Sequence, residues 1–109
     1  MMEIEPLKAI EYIQRNAGTY AQAKANRIYI ENYLKTVKAR LMGQSDEKAL
    51  GAKEIDAYAS AIYVEQLDGL KAAIEVEENL RYMLEAAKLK IEIFKVQEFT
   101  RRTEMKFLG

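Results

Sequence analysis

Two stretches of the chain repeat their apolar positions in alternating steps of three and four. The first places Tyr20, Ala23, Arg27, Ile30, Leu34, Val37 and Leu41 on one line. The second places Ile62, Gln66, Gly69, Ala73, Val76, Leu80, Met83, Ala87, Ile91 and Phe94 on another. Such steps put the marked residues on one stripe of an α-helix, and the stripe asks for a partner helix along its length. The second line lies in the longest stretch free of strong helix breakers, Lys53 to Met105, which has no proline and a single glycine, Gly69.

Punctuation sets the other elements. Pro6 suits the first turn of a helix, and Leu7, Ile10, Tyr12 and Ile13 give it a short apolar face. Asn16-Ala17-Gly18-Thr19 reads as a helix end followed by a cap for the next helix. The alternative is one helix running through Gly18. Met42 to Ala52 holds Gly43, Ser45, Asp46 and Gly51 and reads as a loop. The expected elements are a short helix at about 6–16, a helix at about 19–42, a loop at 43–52 and a long helix at about 53–105. They form one domain over residues 1–109.

The expected fold class is all-α: an antiparallel helical hairpin with one long amphipathic helix, coiled-coil-like and oligomeric. A second helix ending near Met42 covers only about half of the long one. Ala73, Val76, Leu80, Met83, Ala87, Ile91 and Phe94 are therefore the expected interface between copies in a homo-oligomer. Whether the long helix bends at Gly69 is left open by the pattern. Arg27 is the one charge in the first seam. The preferred reading packs its stem and lets its head reach the edge; the alternative pairs it with a carboxylate and fixes the register.

Charge refines this picture. The chain carries 17 basic and 17 acidic residues, but not evenly. Residues 1–53 sum to +3, residues 54–85 to −6 and residues 86–109 to +3. A helical hairpin can pair the first block with the second. There is no His and no Cys, which removes the commonest general base, the commonest metal ligand and any thiolate nucleophile. No phosphate-binding glycine loop is present, and Ser45 and Ser60 have no His to activate them. Glu75, Glu77 and Glu78 are consecutive enough to point apart on a helix. No enzyme, no cofactor and no metal site is expected. No apolar run approaches the roughly 18 residues that cross a bilayer, so a cytoplasmic setting with no membrane partner is expected.

Arg81, Lys88, Lys95 and Arg102 recur every seven residues. Glu78, Glu85 and Glu92 precede the first three by three residues, as ordinary intrahelical pairs do. The acidic series then ends, because its next position is Phe99. Arg101, Arg102 and Lys106 follow, with Glu104 opposing them. One reading is helix-dipole compensation. The other is a polyanion contact by Lys88, Lys95, Arg101, Arg102 and Lys106, with Phe99 placed to stack on a base and Lys24, Lys35 and Lys38 as secondary contacts.

The runs Ala57-Tyr58-Ala59-Ser60-Ala61-Ile62-Tyr63, Gly69-Leu70-Lys71-Ala72-Ala73 and Leu84 to Phe94, with Ala23-x-Ala25-x-Arg27-x-Tyr29 upstream, resemble a family of short all-helical phage proteins found beside recombination genes. The order of helix, polar loop and longer basic-ended helix is similar to that of UvsY-like recombination mediators. The resemblance covers about residues 20–102. It implies a homo-oligomer in the host cytoplasm that binds single-stranded DNA, together with a recombinase or a single-strand-binding protein. Two other classes fit the same features: a small phage adaptor or inhibitor of a host defence system that binds protein alone, and a structural component of a virion.

Overall fold

A computed structural model describes residues 3–108. The chain is all-α: α1 spans Pro6–Gln44, α2 spans Leu50–Ala59 and α3 spans Ala61–Leu108. α1 and α3 run antiparallel. Two compact units can be distinguished. One is formed by α1 up to Ala21 with α3 from Asn79 onward, and the other by residues 22–78.

The break expected at Asn16–Thr19 is absent, and α1 is one helix of 39 residues. Its inward residues explain why. Ala9, Ile13, Asn16, Tyr20, Ala23, Arg27, Ile30, Leu34, Val37 and Leu41 are all buried or half-buried, in unbroken steps of four and three. Gly18 falls on the exposed side of this pattern, has no positive φ, and leaves open space where a Cβ would stand. A glycine inside a helix costs only about 1 kcal/mol, which a continuing apolar seam outweighs. Asn16 keeps its place in the seam because its Nδ2 donates to the Tyr12 carbonyl at 2.9 Å.

The long helix expected from 53 to 105 is instead divided at Ser60, and it is not broken at Gly69. Ser60 takes an extended conformation, φ −64° and ψ 136°, and its N–H donates to the Ala57 carbonyl. Its Oγ accepts the Ile62 N–H at 3.3 Å, so Ser60 both ends α2 and caps α3. The connection before α2 is also shorter than expected, since helix resumes at Leu50. Ser45 Oγ holds it, donating to Asp56 Oδ2 at 2.5 Å and accepting the Glu47 N–H.

α3 turns Tyr63, Gln66, Leu70, Ala73, Glu77, Leu80, Leu84, Ala87, Ile91 and Phe94 inward, again in steps of three and four. The sequence pattern places six of these ten correctly. The other four are one residue off, since Ile62, Gly69, Val76 and Met83 are exposed while Tyr63, Leu70, Glu77 and Leu84 are covered. The residue that decides the phase is Glu77, which is only 5% exposed.

Within residues 22–78, Glu77 meets Arg27. Arg27 Nε donates to Glu77 Oε2 at 2.6 Å and Nη2 donates to Oε1 at 2.9 Å, a two-point contact between planar groups. Nη1 donates to Glu31 Oε2 at 3.1 Å. Arg27 is therefore not merely edge-seeking; it is paired across the seam, and the hydrogen bond to Glu77 is the largest cause holding its pKa above the ordinary guanidinium value. Lys38 makes a second link from the basic first block to the acidic second. Its Nζ lies 3.8 Å from Glu54 and 4.7 Å above the Tyr58 ring. Its approach to Tyr58 raises the Lys38 pKa. Tyr58 in turn meets Tyr63 edge-on across the Ser60 break, with ring centroids 5.2 Å apart.

Two stability predictions follow from this packing. Gly18→Ala is expected to stabilise by about 0.5–1 kcal/mol, raising the thermal midpoint by a few degrees; a lower midpoint contradicts a continuous α1. Glu77→Ala is expected to cost about 2–3 kcal/mol in urea unfolding, below the full cost of a broken buried pair because Arg27 keeps Glu31 and 23% of its side-chain exposure. Replacing both Arg27 and Glu77 by Leu is expected to recover most of that loss, and a double variant as weak as Glu77→Ala counts against the pairing.

Candidate nucleic-acid interface

The C-terminal part of α3 is a continuous helix, so positions three and four apart share a face. Lys95, Phe99, Arg102 and Lys106 fall at steps of four, three and four. They line one exposed stripe about 16 Å long at 1.5 Å per residue. Phe99 is 72% exposed, a large aromatic face offered to solvent between cations. Lys88 extends the same side toward the N-terminus of α3, separated from Lys95 by Glu92.

The cations differ in their freedom. Lys95 Nζ lies 3.3 Å from Glu92 Oε1, with both side chains 66% exposed, so water screens a pair worth a few tenths of a kcal/mol. Lys88, Arg102 and Lys106 form no ion pair among the described residues. Arg101 stands apart. Consecutive residues on a helix diverge by about 100°, and Arg101 Nη2 is held by Glu98 Oε2 at 2.7 Å. Arg101 and Glu98 help line a shallow groove with Glu3, Ile4 and Glu5, a site whose acidic wall does not suit a polyanion. Lys24, Lys35 and Lys38 belong to the unit of residues 22–78. Lys24 and Lys35 are exposed, whereas Lys38 is engaged with Glu54 and Tyr58.

The expected interface between copies is corrected by α1. Ala73, Leu80, Ala87, Ile91 and Phe94 lie on the face that α3 turns to α1, with Ala73 and Ala87 buried within their own units. A helix that starts at Thr19 leaves that part of the seam free. α1 instead begins at Pro6 and brings Ala9, Ile13 and Asn16 against it. Val76 and Met83 fall at the margin and stay about half exposed.

Glu75, Glu77 and Glu78 do not converge: Glu75 is exposed and Glu77 belongs to the seam. Among the described residues no group of three or more acidic side chains could hold a metal ion. No helix of the described residues is long and apolar enough to cross a membrane. The chain matches no protein-family model, no curated protein and no solved structure.

Because Arg102 and Lys106 are exposed and carry no partner among the described residues, the double variant Arg102→Gln/Lys106→Gln is expected to unfold within about 0.5 kcal/mol of the parent. Urea titration followed by circular dichroism checks this. A loss well above 1 kcal/mol means that these cations are structural.

Proposed function

We propose that the protein is a non-catalytic phage recombination accessory protein of the mediator type, self-associating and binding single-stranded DNA through the C-terminal part of α3. The observation that carries this reading is the stripe Lys95-Phe99-Arg102-Lys106, three cations around one exposed aromatic ring on a rigid helix. Cations capture the phosphate backbone without regard to sequence, and each phosphate neutralised releases counterions. An exposed ring stacks on any base, because every base has a π-face. The two together describe a binder of single strands rather than of duplex, whose bases are already stacked. The sequence has no His and no Cys, the commonest base and the thiolate nucleophile, and binding and presentation are the proposed means of action. A recombinase or a single-strand-binding protein is the protein partner that the phage resemblance implies.

Fluorescence anisotropy with labelled mixed-sequence single-stranded DNA tests the reading. Affinity is expected to fall steeply between about 50 and 200 mM salt. Arg102→Gln/Lys106→Gln is expected to reduce the magnitude of the log–log salt slope by roughly 1.4, at about 0.7 per phosphate contact on a single strand. Phe99→Ala is expected to cost about 1–3 kcal/mol of binding with the slope unchanged. Arg101→Gln, already tied to Glu98, is expected to matter less than Arg102→Gln. No binding at low salt contradicts the proposal and favours an adaptor that binds protein alone.

A further inference from the structure

The half of α3 that follows Asn79 has a second apolar stripe, on the side opposite the α1 seam. Tyr82, Ala86, Leu89, Ile93 and Val96 follow one another in steps of four and three, and all five are exposed. Leu89 is 60% and Val96 64% exposed. The line continues through Thr100 and Thr103 to Phe107 without a charge, in a chain of which 31% is charged. The same face of α3 before Asn79 behaves differently, since it carries Glu65, Asp68 and Glu75. The stripe is thus a local feature with the repeat of a helix-pairing seam; the start of α1 and the segment before it approach only its Lys90 edge, where Ala86 and Val96 line grooves with Glu3, Ile4 and Glu5, and leave the rest of it open.

We infer that this stripe is the surface through which two copies of the chain associate, with their α3 helices parallel and in register. The edges of the stripe choose the occupant and its direction. Glu85 and Glu92 line one edge, and Met83, Lys90 and Gln97 line the other. In a parallel pair, the residue on one edge meets the residue five positions later on the opposite edge of the partner helix. That sets Glu85 of each copy against Lys90 of the other, two ion pairs by symmetry. An antiparallel pair sets the acidic edge against itself. Lys90 forms no ion pair within its own chain among the described residues, and Glu85 holds Arg81 through Oε1 alone, 3.0 Å away. A second copy therefore satisfies both the apolar stripe and its edges. Parallel pairing also brings the two Lys95-Phe99-Arg102-Lys106 stripes to one end of the assembly, where two weak sites act on one strand with gain in avidity.

This inference rests on the self-association included in the functional reading and not on DNA binding; light scattering tests the first and anisotropy the second, so either can fail alone. The full chain is expected to have the mass of a dimer by light scattering, and Leu89→Glu, at an exposed position, is expected to give a monomer of unchanged helix content by circular dichroism. Glu85→Lys is expected to weaken the dimer and Glu85→Lys/Lys90→Glu to restore it. The chain has no native Cys, so Val96→Cys alone is expected to cross-link two copies under oxidation. A monomer at all concentrations, or a dimer indifferent to Leu89→Glu, overturns the inference. Cross-linking seen only on mixing Tyr82→Cys with Val96→Cys overturns the parallel orientation.

Discussion

The pairing of Arg27 with Glu77 fixes which faces of α1 and α3 meet, and the remaining contacts follow from that choice. Both residues sit at seam positions, each in the middle of a line of apolar or small side chains. A carboxylate that is 5% exposed cannot be left alone, and the guanidinium answers it with two donors in the geometry that a carboxylate accepts. Such a pair adds little net stability over well-packed apolar groups, but sliding or rotating either helix strands a charge. Its effect is on register. The small residues Ala9, Ala73 and Ala87 are buried along the same seam.

The seam of α1 was legible throughout from Tyr20 to Leu41, because apolar spacing and helix period agree there. Its extension toward the N-terminus was hidden by Asn16 and Gly18, which are end-of-helix residues by local rules. The nonlocal signal was present: Ala9, Ile13 and Asn16 keep the same phase as Tyr20. In α3 apolar spacing alone favours Val76 over Glu77, and with it Ile62, Gly69 and Met83 over Tyr63, Leu70 and Leu84. The corrective signal was Arg27 in the facing seam, which needs an acidic partner at a seam position. Ser60 lies among alanines that favour helix, although a serine before an apolar run is a capping signal.

The candidate interface was partly legible. The seven-residue spacing of Lys88, Lys95 and Arg102 and the replacement of the acidic series by Phe99 required only a helix, and α3 is one. The side of α3 open to other molecules was harder to read, because it depends on how far α1 extends. Once α1 begins at Pro6, the seam from Leu80 to Phe94 is taken by the chain itself, and what α3 offers outward is the Leu89–Val96 side and the cationic end. A helix that is apolar on two opposite faces needs two partners, and α1 can be only one of them.

The extent of α1 therefore governs both the fold and the assignment of surfaces, and amide hydrogen exchange of the full chain measures it directly. Continuous helix predicts that the amides of residues 16–20 are protected to the same degree as those of the turns on either side. Rapid exchange confined to residues 16–20, with protected turns flanking them, contradicts the account and returns the Leu80–Phe94 seam to other subunits.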